Sequence, residues 1–289
     1  MKWEEGEDSQ NLEDRRSGSG VRPVHIGGAG VLIVLVIGYF MGASPQQLLQ
    51  LLSDSSTRSS LQTQQGAPGV PDQRSHEFAS KILRFTEKVW TQKFQEMGKT
   101  YTPPHMVLFT DQVQTGCGNA PGSVGPFYCP EDRTVYLDPT FFDELQQQLG
   151  GSKADFSNAY VIAHEVGHHV QNLLGYNAIV EQKRRTLDKA AYNQWSVRLE
   201  LQADYLAGVW AHYGQEEFHF IEAGDVDTAI QSANAIGDDR LQRNSSGFTS
   251  PEKYTHGTSA QRVKWFSLGL KTGDMGKLKE MFQMPYEDL

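Results

Sequence analysis

The chain has 289 residues, room for one sizeable core and some appendages. Its 35 acidic and 26 basic side chains leave a net charge of −9, which argues against nucleic-acid binding, where a basic footprint is the rule. Apolar residues make up 38% and charged residues 21%, an ordinary globular balance apart from one stretch near the start.

Residues 1–23 are polar, charged and carry Ser and Gly, and they predict a disordered tail. From Val24 to Ala43 the chain is almost free of charge, with Val31-Leu32-Ile33-Val34-Leu35-Val36-Ile37 at its centre. That length suits one transmembrane helix. Arg15, Arg16 and Arg22 precede it and the next basic residue is Arg58, so the positive-inside rule puts the N-terminus in the cytoplasm and everything after residue 43 outside. A cleaved signal peptide is the rival reading, disfavoured by the long acidic leader and the lack of an A-x-A site. A buried core helix is disfavoured too, because the stretch has no polar face. Residues 44–75, rich in Gln, Ser, Gly and Pro, predict a linker.

Residues 76–289 form the remaining domain. Phe78, Ile82, Phe85, Val89, Trp90, Phe94 and Met97 recur at helical spacing and predict an amphipathic helix from His76 to Met97, ended by Gly98. Met106–Phe109 predicts a strand. Cys117 and Cys129 flank a Gly- and Pro-bearing loop. Outside the cytoplasm such a pair favours a disulfide over two free thiols or a metal pair. Thr134–Leu137, β-branched and aromatic, predicts a second strand, either a core strand or an edge to which an extended peptide adds. Asp138-Pro139 opens a helix through Phe141, Phe142, Leu145 and Leu149.

The helix predicted over Phe156–Leu174 carries His164-Glu165-Val166-Gly167-His168 at its middle. Asp155 or Ser157 could cap its start, and Gly175 could end it. H-E-x-x-H puts two imidazoles at i and i+4, on one face, where both reach a single metal ion. Glu165 points about 100° away around the helix, placed to touch a water on the metal rather than the metal itself. A pair of surface histidines is the bland alternative.

A catalytic zinc needs a third protein ligand and an open position. The third histidine of the metzincin pattern is excluded, because Gln171 and Leu174 stand where its Gly and His would be. The helix predicted over Trp195–Tyr213 is apolar over most of its surface and carries Glu200-Leu201-Gln202-Ala203-Asp204. A buried Glu and Asp four apart must be paired or bind metal. We therefore expect Glu200 as third ligand and Asp204 as acceptor from a ligand ring, with His169, His212 and His219 as rival ligands. Small residues beside them, Ala203, Ala207 and Gly208, together with Gly167, would let the two helices approach closely. His256 and Arg262 precede and enter a last helix that Thr258 or Ser259 can cap, and either could stabilise an oxyanion. A capping histidine and a surface arginine is the alternative, and Tyr136 and Tyr205 are weaker oxyanion candidates.

The run from His164 to Gln171, with Glu200–Asp204 downstream and with Phe127-Tyr128-Cys129-Pro130 and Val135-Tyr136-Leu137-Asp138 upstream, resembles the neutral zinc metallopeptidase family of bacterial membrane-anchored proteins. H-E-x-x-H with E-x-x-x-D is similar to the Glu-zincins more widely, including the CAAX prenyl endopeptidases, whose C-terminal motif the His256–Arg262 spacing resembles. The resemblance implies an α+β, zincin-like fold, mostly helical with a small sheet, holding one Zn2+ and hydrolysing peptide bonds. The combined expectation is a single-pass protein of the bacterial inner membrane, with a cytoplasmic N-terminus and a periplasmic or extracellular endopeptidase domain. In that domain His164, His168 and Glu200 hold zinc and Glu165 is general base. A non-catalytic zinc-binding scaffold is the alternative, and oligomeric state is left open.

Overall fold

The computed structural model describes residues 1–16 and 72–289. In chain order they form β1 (Leu12–Asp14), α1 (Gln73–Glu96), β2 (His105–Leu108), β3 (Gln112–Thr115), β4 (Gly118–Pro121), β5 (Phe127–Cys129), β6 (Thr134–Leu137), α2 (Phe141–Gln147) and α3 (Asp155–Leu174). After these come α4 (Tyr176–Thr186), α5 (Lys189–Phe218), α6 (Asp225–Ala235), α7 (Asp238–Ser246), α8 (Ser259–Thr272) and α9 (Lys277–Met281). The mostly helical α+β expectation holds. The apolar stretch 24–43 lies outside the described residues, and among those described no helix is long and apolar enough to cross a membrane.

The sheet runs in the order β1-β2-β6-β5. The first three strands are parallel, with Leu12 opposite Met106 and Met106 opposite Val135, and β5 is antiparallel to β6. All four residues of β6 are buried, so the core-strand reading of Thr134–Leu137 is correct and its role as a peptide-accepting edge is not. Both its sides are already paired. Among the described residues the edges of this sheet are β1 and β5. Strands β3 and β4 make a separate hairpin, tied by the Cys117–Cys129 disulfide to β5.

Residues 1–16 are not a disordered tail. They lie along α1 and finish as an edge strand. Trp3 is 4% exposed, packs edge-on to Phe78 with ring centroids 5.3 Å apart, and donates from Nε1 to Asp155 at 2.8 Å. Asp155 is thus occupied and does not cap α3; its N-cap is Ala154, with no side-chain cap. Ser9 Oγ donates to Glu87 Oε1 at 2.5 Å and Asn11 Nδ2 donates to the same oxygen at 2.8 Å. The polar composition that suggested disorder is satisfied by partners far along the chain. On the other flank, α1 begins at Gln73, inside the predicted linker.

Helix α5 is the centre of the domain. Every residue from Leu201 to Ala211 is buried, so neighbours surround it. Leu201, Leu206 and Val209, each at 0% exposure, contribute roughly 1.5–3 kcal/mol apiece by leaving water. Gly167 of α3 meets α5 where a β-carbon would lie 3.1 Å from the Ala203 carbonyl oxygen, as its small size suggested. Gly208 turns the other way: a β-carbon there would come within 2.2 Å of the Phe266 carbonyl oxygen, so it fits α5 against α8 rather than against the metal-motif helix.

Candidate metal centre

Helical spacing puts His164 and His168 on one face of α3, and the Ala203–Gly167 contact brings Glu200 of α5 opposite them. Glu200 Oε2 lies 3.3 Å from His164 Nε2, and Oε1 lies 3.5 Å from His168 Nε2. One ligand atom from each of the three residues falls within 4.8 Å of the other two, the one such group among the described residues. His164 is buried while His168 and Glu200 are partly accessible, so the group opens to solvent on one side.

Each ring is oriented by a partner on its far nitrogen. His164 Nδ1 donates to Asp204 Oδ1 at 2.9 Å, as expected for Asp204. His168 Nδ1 donates to Gln171 Oε1 at 2.8 Å, and Gln171 is itself held by donation to the Leu199 carbonyl at 2.6 Å. Both Nε2 lone pairs are therefore left for a metal. Sequence reasoning missed Gln171, whose signal was its place one turn after His168. It also missed Tyr160, one turn before His164, whose hydroxyl donates to Asp204 Oδ1 at 2.6 Å.

Arg262 is not an oxyanion stabiliser. It is 3% exposed and donates from Nε and Nη2 to the two oxygens of Asp204, at 2.8 and 2.9 Å. The carboxylate therefore gathers Tyr160, His164 and Arg262. Burial pushes Asp204 up, but Arg262 and His164 outweigh it and bring the group to about 2. Tyr136 and Tyr205 are committed elsewhere, donating to Asp132 at 2.8 Å and to the Asp274 carbonyl at 2.7 Å, and neither is an oxyanion candidate.

Glu165 is 8% exposed, and desolvation raises its pKa against the pull of His164 and His168. Burial also acts on Glu200, yet His168, His256 and His164 outweigh it and keep that carboxyl ionised, well below the usual range. His256 lies just before α8. Its side chain is 49% exposed; its backbone N–H donates to Asp238 Oδ2 at 2.6 Å and its Nδ1 lies 3.3 Å from Asp238 Oδ1. Of the expected site residues, His164, Glu165, His168, Glu200 and Asp204 come together, His256 is held by Asp238, and Arg262 lies behind Asp204.

The rival ligands have other work. His212 Nδ1 donates to the Leu270 carbonyl at 2.8 Å, and His219 ends α5 in the left-handed conformation with φ 53°. Burial lowers His169 to about 4, which keeps it neutral. Its Nε2 donates to the Thr102 carbonyl at 2.7 Å, so Nδ1 accepts from the Tyr128 hydroxyl at 3.0 Å. Asn172 Nδ2 donates to the same hydroxyl at 3.0 Å. These bonds fasten edge strand β5 to the metal-motif helix.

The family described as "Putative neutral zinc metallopeptidase" matches residues 1–280. The uncharacterized protein YpfJ of Escherichia coli K12 is 43% identical over 281 residues, covering 95% of this chain and 96% of its own. The uncharacterized protein Rv2575 of Mycobacterium tuberculosis H37Rv is 48% identical over 183 residues, 60% of this chain and 61% of its own. No solved structure gives a significant match.

Proposed function

This chain belongs to the neutral zinc metallopeptidase family, and from that premise we propose that it is a zinc-dependent endopeptidase with a zincin-like fold, Glu165 being its general base. Zinc is the cofactor, and the donor set fits it: two imidazoles with free Nε2 atoms and one ionised carboxylate converge from two helices, leaving an accessible side. A zinc ion held there lowers the pKa of water and polarises a peptide carbonyl.

The chain's own groups move the protons. The Glu165 carboxylate takes a proton from the attacking water and delivers it to the leaving nitrogen as the C–N bond breaks. Its desolvated setting raises its pKa, which makes it a stronger proton acceptor. His256, whose Nδ1 faces Asp238, offers an N–H to the oxyanion. Asp204, gripped by Arg262 and Tyr160, holds the His164 ring in the tautomer that leaves Nε2 free. Free edge β5, braced to α3 through Tyr128, supports binding of the substrate as an added strand. The apolar stretch 24–43 supports membrane association, and the disulfide supports an oxidising compartment for the domain.

The observation that carries the reading is the convergence of His164, His168 and Glu200 beside Glu165. Casein or peptide hydrolysis by the full chain, with and without chelator, tests it. The wild type should cleave and lose activity to the chelator. Glu165→Gln should keep its zinc and lose about 10²–10⁴-fold in rate. Equal rates of cleavage for the two proteins would end the mechanism as drawn, and no cleavage by the wild type would favour a zinc-holding scaffold.

A further inference from the structure

The way residues 1–16 enter the domain has a consequence for membrane topology. Strand β1 completes one edge of the sheet: Leu12, Glu13 and Asp14 pair with Met106, Val107 and Leu108, Met106 N donates to the Asn11 carbonyl at 2.8 Å, and Arg15 N donates to the Leu108 carbonyl at 2.8 Å. The segment before it is seated as deeply. Trp3 fills a site between Phe78 and Asp155, Lys2 N donates to the Phe220 carbonyl at 2.8 Å, and Ser9 and Asn11 satisfy Glu87, which is 3% exposed. These are the contacts of an integral part of a fold, and their partners lie on β2, α1, α3 and the turn after α5.

The chain leaves this unit after Arg16 and is back in it at Gln73. The exit and the return adjoin: Asp14 Oδ2 and His76 Nδ1 are 3.2 Å apart. A single bilayer crossing between those two points would hold them on opposite sides of a hydrocarbon layer about 30 Å thick. The two distances cannot both hold.

We infer that residues 1–16 and the domain lie on one side of any membrane the protein meets. In place of a cytoplasmic N-terminus and an external domain, both share a compartment. The three arginines that suggested the other orientation include two with structural roles in the fold. Arg15 donates from Nε and Nη2 to Glu13 at 2.8 and 2.7 Å, and Arg16, whose side chain is 6% exposed, donates likewise to Asp14 at 2.9 and 2.6 Å. The inference is independent of peptidase activity.

Thiol labelling of the full chain decides it. Both native cysteines are in the disulfide and no free thiol competes. Asp8→Cys reports on the N-terminal segment and Gln146→Cys on the domain; both positions are exposed and far from the metal centre's residues in sequence. Each single variant, produced in bacterial cells, is treated with a membrane-impermeant maleimide in right-side-out and in inverted membrane vesicles. The same-side arrangement requires the two variants to react in the same preparation, or both in the soluble fraction, and to be shielded in the same preparation. Reaction of one only in right-side-out vesicles and the other only in inverted vesicles would overturn it. Glu5→Cys and Glu217→Cys, also exposed, repeat the comparison should either first variant fold poorly.

Discussion

The metal centre and the N-terminal strap are both polar groups held inside a protein, yet one announces itself in the sequence and the other does not. At the centre, the groups that must meet are largely on one helix: Tyr160, His164, His168 and Gln171 lie three or four residues apart, and α-helical geometry aligns them before any tertiary contact forms. In the strap, Ser9 meets Glu87 and Ser80, and Trp3 meets Phe78 and Asp155. No backbone period connects such pairs. A short, charged segment can be structural when its polar atoms find distant partners, and then its composition resembles disorder.

This contrast can be broken or sharpened by substitution. The largest effect should come from Glu200→Ala, which removes the one metal ligand not supplied by α3. Zinc affinity should fall by well over about 100-fold, beyond the range for a group that merely orients a ligand. Competition titration with a chromophoric chelator reads it, and an unchanged affinity would mean that another side chain completes the set. Trp3→Ala should cost about 3–5 kcal/mol of stability, as for a large buried aromatic, with the melting temperature falling to match. A loss under about 0.5 kcal/mol would return residues 1–16 to the status of a tail.

Asp204→Asn should weaken zinc binding by about 10–100-fold, because the His164 ring loses a charged acceptor and Arg262 its counter-ion. Full affinity in that variant would show that Tyr160 and Arg262 do not act on the metal through Asp204.

The smallest effect concerns acid and the end of the strap. Hydrogen bonding from Arg16, against some burial, lowers Asp14 from the ordinary value of 3.8 to about 2. A depressed carboxyl stabilises the fold above its unfolded value and stops doing so as pH falls through its folded one. Asp14→Asn should therefore be less stable than wild type by at most about 2 kcal/mol at neutral pH. The gap should narrow below about pH 4 and close near pH 2. Melting curves of both proteins across that range test it, and a constant gap would assign the effect to packing.

Much of the site was legible because its logic is local. The H-E-x-x-H helix, the E-x-x-x-D helix, the loop that Cys117 and Cys129 close, and the cap at Thr258 are all relations within one element or one short loop. Arg262 was assigned the wrong task for the converse reason. Its partner Asp204 is 58 residues away, and a guanidinium's motif spacing says nothing about which carboxylate it will face. Whether Thr134–Leu137 is a core or an edge strand stayed open in the sequence because pairing, not composition, decides which strand has a free side, and Phe127–Cys129 is too short to show a period.

By itself the amino-acid sequence determined the helix that carries both imidazoles, the acid to look for on a second helix, and the metal chemistry that follows, since three- and four-residue spacing is geometry enough. Only the tertiary structure decided that Arg262 serves Asp204, that β6 is paired on both sides, and that the first sixteen residues belong to the fold. Those outcomes depend on contacts between residues tens of positions apart, which form only when burial of the whole core makes the chain compact.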